Sequence, residues 1–256
     1  LLTGREPLVL IAAATLGLVV GSFLNVCIWR LPRKESILAP RSHCPSCEGR
    51  LGWGELVPLL SYLVLGGRCR TCKARISAVY PLVEAGNAAI YVLALIVWGW
   101  SVQTLAAAVL GSSLLVVGVI DAYHRIIPDV VTIPGILVGL ILSACNPSVG
   151  LGSALVGLLV GGGFFLAVAM VTGGGMGGGD IKLAAMLGAF LGWAGLLSGL
   201  FLGILGGALA GLLLILVGVK RRRDAMAFGP FLAAGGLAAA FWGPSIVGWY
   251  IRLFWG

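Results

Sequence analysis

Nine residues of this 256-residue chain are acidic, and four of them, Glu84, Asp121, Asp129 and Asp180, fall in or at the edge of long apolar stretches. A charged side chain inside a membrane span costs about 3 kcal/mol on insertion scales, so such a residue calls for a chemical reason unless it sits at an interface. Two carboxylates brought together at a half-buried site do not both ionise easily. One keeps a proton while the other draws a proton from a bound water, which can then attack a carbonyl. Asp121, Asp129 and Asp180 are the candidates for such a pair. Asp180 follows the six glycines of the stretch GGGMGGGDIK at 173–182. There Gly177 and Gly179 remove the side chains that would keep another backbone away from the carboxylate, and 173–175 read as a flexible lead-in. Structural roles stay open at this point, because each aspartate could instead cap a helix at the interface or pair with Arg125 or Lys182. No Ser-His-acid set and no H-E-x-x-H motif competes, since the only histidines are His43 and His124.

A second constellation is made of cysteines. HCPSC supplies Cys44 and Cys47, RCRTC supplies Cys69 and Cys72, and 21 residues lie between the pairs. Two C-x-x-C knuckles at this separation can present four thiolates tetrahedrally to Zn²⁺ and so fix a loop too small to have a core of its own. His43 adjoins the first knuckle as a substitute ligand, but four cysteines already suffice. A thioredoxin-like pair would need a βαβ scaffold, which is absent, and disulfides would need an oxidising compartment. Cys27 and Cys145 lie in apolar stretches and read as packing residues.

The elements that must carry these groups are membrane helices. Hydrophobic residues make up 59% of the chain and charged residues only 10%, far outside the range of soluble domains. Apolar windows of about 20 residues, enough to cross about 30 Å of hydrocarbon, recur along it. Eight are expected, at 7–29, 80–100, 102–122, 126–144, 152–171, 183–197, 199–219 and 227–253. The first runs on too smoothly to be a cleaved signal peptide. The fold class is thus an all-α integral membrane protein of about eight spans in the lipid bilayer, with a small zinc-knuckle loop between the first two. The expected division is 1–101, holding the first helix, the loop at about 30–79 and the second helix, and 102–256, holding the rest.

The net charge of +8 reads as an orientation signal rather than as a nucleic-acid footprint, and no nucleic-acid partner is expected. Fifteen of the seventeen basic residues lie between Arg30 and Arg75, at Arg125, at Lys182 and in KRRR at 220–223; Arg5 and Arg252 are the other two. With these segments cytoplasmic and both termini outside, eight alternating spans put the loop, Asp121, Asp129 and Asp180 on the cytoplasmic side. The many glycines, as in GLLVGGGFF and GILGGALAG, read as close helix packing in lipid.

The motifs together resemble the type IV prepilin peptidases, bifunctional leader peptidases and N-methyltransferases of bacterial pilus and type II secretion systems. The resemblance rests on GSFLNVCIWRLP at 21–32, RSHCPSC and GGRCRTC, PLLSYL at 58–63, ISAVYPLVE at 76–84, IDAYHRIIPD at 120–129, MGGGDIKLAAMLGAFLGW at 176–193 and FGPFLA at 228–233. It implies a membrane aspartic protease of the GxGD type in the bacterial cytoplasmic membrane. Asp121 and Asp180 would be catalytic, with Gly177 and Gly179 as the glycines of the motif and Asp129 as the competitor for the first position. It implies cleavage after a glycine at the basic leader of prepilins or pseudopilins, and methyl transfer from S-adenosylmethionine to the new amino terminus. Two positions depart from the family pattern, Val79 in place of arginine and Leu56 in place of asparagine. Both bear on methyl transfer and leave peptidase activity untouched. GGGMGGGD is no dinucleotide loop, because no βαβ unit surrounds it. The other readings are a peptidase without methyl transfer, a transporter, for which the two halves lack the expected symmetry, and a membrane scaffold with a zinc loop.

Overall fold

A computed structural model describes residues 6–39, 41–173, 176–219, 221 and 226–254. Arg5, Gly174, Gly175 and three members of the KRRR segment, Lys220, Arg222 and Arg223, lie outside them. The regular secondary structure of the described residues is helical apart from two isolated β-bridges. Its α-helices are α1 (Pro7–Arg30), α2 (Leu60–Val64), α3 (Val79–Trp98), α4 (Val102–His124), α5 (Asp129–Ala144), α6 (Leu151–Val171), α7 (Gly178–Leu216) and α8 (Gly229–Phe254). Five of them, α1, α3, α4, α6 and α7, are long and apolar enough to cross a membrane, while α5 and the apolar part of α8, Gly229–Gly243, are shorter. The protein is therefore a multi-pass membrane protein. Two compact units divide within α4, Leu1–Val116 and Val117–Gly256.

In the first unit α1 packs along α3, and glycine sets the distance. A Cβ on Gly17 would lie 2.6 Å from Ala88 Cα, and one on Gly21 would lie 2.7 Å from Glu84 Cα. Buried polar groups lock the pair in register. The Asn87 amide donates to the Gly17 carbonyl at 2.8 Å, and the Ser112 hydroxyl donates to Asn87 Oδ1 at 2.8 Å. With no water in hydrocarbon to replace them, such bonds specify one alignment of the helices.

The cysteine loop of the same unit holds two copies of one turn. In the first, Cys44 N–H donates to the Gly49 carbonyl and a bridge pairs His43 with Arg50. In the second, Cys69 N–H donates to the Ala74 carbonyl and a bridge pairs Arg68 with Arg75. Each turn places its fifth residue, counted from the first cysteine, in the left-handed region, Glu48 at φ 55° and Lys73 at φ 61°.

The second unit is built around α7. As one straight helix its 39 residues would run about 58 Å, nearly twice the hydrocarbon thickness. Instead the chain turns back at Gly192, whose φ of 68° and ψ of 178° are not helical. The reversal is visible in the contacts. A Cβ on Gly161 would lie 2.6 Å from the Ala184 carbonyl oxygen and 3.0 Å from Leu196 Cδ2, although these residues would stand about 18 Å apart along a straight helix. Likewise Gly236 meets Leu187, while its neighbour Gly235 meets Gly199 and Gly203. The turn falls a few residues before the sequence break expected near 198, at the glycine that can take the required backbone angle. Cys27 is buried as expected, but Cys145 is exposed at the C-cap of α5 rather than packed in an apolar interior.

Candidate active site and metal centre

Asp121, Asp129 and Asp180 all belong to the second unit, and the local sequence explains the position of each. Helix α4 ends just after Asp121 because Arg125, at φ 56°, takes the left-handed capping conformation while its N–H bonds the Asp121 carbonyl at 2.9 Å. Pro128 then bars a helical Ile127 and caps α5, which starts at Asp129. Asp180 lies in the first turn of α7, whose N-cap is Gly177. Carboxylates in first turns face unsatisfied N–H groups and suit those places.

The three carboxylates do not meet equally. Asp121 is buried, and its Oδ2 accepts a hydrogen bond from Gly229 N–H at 2.8 Å, at the start of α8. The Asp121 carboxylate lies close enough to Asp180 to act on it electrostatically, and the backbone of Gly177 hydrogen-bonds Asp180. Asp129 is exposed and engaged elsewhere, with its Oδ2 2.6 Å from Lys182 Nζ. That ion pair ties the start of α5 to the start of α7, and Ile127 packs on the same junction.

The glycines of the motif differ in use. A Cβ on Gly179 would lie 2.7 Å from Ile127 Cβ, so this glycine admits the loop between α4 and α5. At Gly177 a Cβ would lie 3.4 Å from Asp180 Oδ2, close beside the carboxylate. Sequence reasoning assigned no role to Gly229, where a Cβ would lie 2.6 Å from Asp121 Oδ2. Its one local signal is the Gly-Pro step that opens α8, which leaves free N–H groups at a helix start.

The four cysteines of the first unit come together as their spacing predicts. The Sγ atoms of Cys44, Cys47, Cys69 and Cys72 all lie within 4.8 Å of one another, and Cys44 Sγ is 3.8 Å from Cys72 Sγ. A tetrahedron of sulfurs about 2.3 Å from Zn²⁺ has edges of about 3.8 Å, so the cage fits a zinc-sized ion. Backbone N–H groups of Cys72, then Thr71, bring the Cys69 thiol down to about 7, whereas at Cys47 the Gly49 backbone is outweighed by burial and hydrogen bonds from the neighbouring thiols, which push the thiol up to about 11, so Cys69 becomes a thiolate before Cys47. His43 Nδ1 lies 3.3 Å from the Arg41 carbonyl, and His43 is not part of the sulfur cluster.

The first unit also contains a cavity of about 330 Å³ beside the sulfur cluster, with Glu84 in its wall. Glu84 is buried in the first turns of α3, and its Oε2 accepts the Leu59 N–H at 2.9 Å. This contact holds Leu59 at φ 59°, a strained conformation for a branched side chain, at the entry to α2.

Helices that cross a membrane several times and two carboxylates within electrostatic reach at their ends are the apparatus of a membrane-embedded aspartic peptidase. The chain belongs to the type IV leader peptidase family, whose model matches residues 108–216, while residues 15–98 match the bacterial peptidase A24 N-terminal domain. Among its relatives are prepilin leader peptidase/N-methyltransferases of Pseudomonas putida, 39% identical with 94% of this chain and 93% of the relative covered, and of Bacillus subtilis, 38% identical with 93% and 96% covered. A relative of the same description from Myxococcus xanthus is 42% identical over 82% of this chain and 64% of its own length. No solved structure matches the chain significantly.

Proposed function

We propose that the protein is a bifunctional prepilin leader peptidase and N-methyltransferase of the bacterial cytoplasmic membrane, with Asp121 and Asp180 as its catalytic pair. The observation that carries the peptidase reading is the proximity of these two carboxylates, contributed by the end of α4 and the start of α7. In this mechanism one carboxylate takes a proton from a water lying between the pair, and the water oxygen bonds to the scissile carbonyl carbon. The other carboxylate, protonated, gives its proton to the carbonyl oxygen. The tetrahedral intermediate then collapses with cleavage of the C–N bond as the leaving amine gains a proton. Gly229 N–H holds one oxygen of Asp121 and so sets the plane of its carboxylate. Gly177, without a side chain, leaves room for an extended substrate backbone beside Asp180.

In this reading the arms of α7 on either side of Gly192 cross separately and the shorter α5 and α8 cross as well, so that with α1, α3, α4 and α6 there are eight crossings; the turn at Gly192 supports it. With Arg125, Lys182 and the basic cysteine loop inside, the aspartates and the loop face the cytoplasm, where the basic leader of a prepilin or pseudopilin lies after its apolar helix has inserted. The units then divide the work. The N-terminal segment with the cysteine loop serves methyl transfer, and the helices that follow serve cleavage. A prepilin-like peptide incubated with the detergent-purified protein is expected to yield a product cut after the leader glycine and then N-methylated when S-adenosylmethionine is added. Absence of cleavage defeats the peptidase reading, and cleavage without methylation defeats the methyltransferase half alone.

Asp129 is a positioning residue in this reading. Its ion pair with Lys182 is formed by side chains 54% and 39% exposed, respectively, so it contributes no more than about 1 kcal/mol. Asp129→Asn is expected to lower the cleavage rate less than about tenfold, with Lys182→Met similar and the double variant no worse than either alone. An initial-rate assay decides this. A loss of activity as severe as that of Asp180→Asn would transfer the first catalytic role to Asp129.

Zinc in the Cys44, Cys47, Cys69 and Cys72 cage would be structural, tying the two turns to each other. The ligands must be thiolates, so acid competes with metal. Metal analysis is expected to find one zinc per chain near pH 8, progressive loss as the pH falls below about 6, and little zinc in Cys69→Ser at either pH. Full occupancy in Cys69→Ser would exclude this site.

A further inference from the structure

Resting on the methyltransferase half of the proposed function, we infer that the cavity between α1, α3 and the cysteine loop is the binding site of the methyl donor, S-adenosylmethionine, with Glu84 as the carboxylate that receives its positive centre. The cavity lies wholly within the first unit and measures about 330 Å³, within the range of small-molecule sites. Its most unusual group is Glu84. This side chain is only 8% exposed, in a helix apolar enough to span a membrane, and the one hydrogen bond it receives from the described residues comes from Leu59 N–H. A carboxylate so placed, held by one backbone N–H and open to the cavity, offers its charge to a positive group of a ligand there.

The remaining walls narrow the class of cation. Tyr62 and Tyr80 bring aromatic surface, Glu55 a second carboxylate, and Arg30 and Arg75 positive charge. A simple metal ion has no use for rings or arginines, and a lipid tail has none for four ionic groups. A sulfonium and an ammonium for the acids, a carboxylate for an arginine and an aromatic base for the tyrosines are all found in one molecule of S-adenosylmethionine. The site is rigid where it matters. Gly21 presses against Glu84 Cα, the Asn25 amide donates to the Tyr80 carbonyl at 3.0 Å, and the Tyr62 ring sits where a Cβ on Gly67 would come within 3.0 Å. When donor is bound, methyl transfer breaks the S–CH₃ bond as the neutral amine of the cleaved substrate forms N–CH₃. The sulfonium becomes a neutral thioether, and the amine releases one proton to water.

Equilibrium binding of tritiated S-adenosylmethionine to the full-length protein in detergent tests the assignment. Glu84→Gln keeps the volume and, through its amide oxygen, the hydrogen bond to Leu59, and removes only the charge. Ser61→Phe fills the cavity from α2. Both are expected to weaken donor binding at least tenfold while eluting as monodisperse protein with the wild-type unfolding temperature, and photo-crosslinked donor is expected on the segment 22–84. Wild-type affinity in both folded variants, or crosslinking elsewhere, overturns the site even if the protein methylates its substrate. Weakened binding of a cleaved acceptor peptide with unchanged donor binding would assign the cavity to the substrate amine instead and also overturns it. A wild-type protein that neither binds donor nor methylates cleaved substrate removes the methyltransferase reading and the site together.

Discussion

Asp180→Asn and Asp121→Asn are each expected to lower the rate of leader cleavage by about a thousandfold or more, with the variant protein still inserted and correctly sized. Asparagine keeps the shape of the side chain but can neither accept the water proton nor carry one to the carbonyl oxygen. Loss of a general acid or base is worth about two to four orders of magnitude, and a pair that must act in concert loses nearly everything with either member. A thousandfold is about 4 kcal/mol of transition-state stabilisation, more than any packing change at an isosteric position would produce. The double variant should therefore be scarcely slower than either single one. Initial rates on a prepilin-like peptide, with protein amount fixed by immunoblot, measure this. Near-normal turnover in either single variant would remove that residue from the pair.

Gly229→Ala is the second large effect, and it comes from a residue with no chemistry of its own. The Gly229 N–H bonds Asp121 Oδ2 at 2.8 Å in a buried place, and a Cβ built there would stand 2.6 Å from the same oxygen. The methyl group must displace the carboxylate, the helix start or both, because neither neighbour is the free end of a flexible chain. A hydrogen bond to a charged group is worth about 1.5–3 kcal/mol, so cleavage is expected to slow by about 10- to 100-fold. The fall should lie in kcat, with KM for the peptide little changed, if Gly229 acts through the Asp121 carboxylate that it contacts. A loss confined to KM, or none at all, would show that α8 does not orient Asp121. Alanine at Gly163, inside α6, where nothing lies within 4 Å of a Cβ and φ is not positive, is the reference for a glycine change outside the site.

Much of the site is legible in the sequence because it is written in short spacings. Cys44 with Cys47, and Cys69 with Cys72, are each separated by two residues, and a chain can bring two such knuckles together whatever else it does. The clustering of their sulfurs within 4.8 Å follows from that local geometry. Gly177, Gly179 and Asp180 are likewise one stretch, and the helix that starts there is announced by the apolar run behind it. The competition between Asp121 and Asp129 is not legible in the same way. Both stand at helix ends eight residues apart, and both have a basic residue at hand. Only the packing of α5 against α7 gives Asp129 to Lys182, and only α8 gives Asp121 the N–H of a residue 108 positions away.

By itself, then, the sequence determined that the chain lives in a bilayer, where its helices begin and end to within a few residues, which cysteines share a metal-sized cage, and which carboxylates are too costly to be ornamental. Each of these depends on composition or on neighbours a few residues apart, and the hydrophobic effect and covalent reach decide them without reference to the rest of the fold. The tertiary structure alone decided that α7 folds back at Gly192, that Asp121 rather than Asp129 stands within reach of Asp180 and is held by Gly229, and that Glu84 closes a cavity with its hydrogen bond to Leu59. Those are contacts between segments tens of residues apart. They are chosen by which glycines let two backbones approach and which polar groups must find partners where no water can serve, and neither choice leaves a periodic trace along the chain.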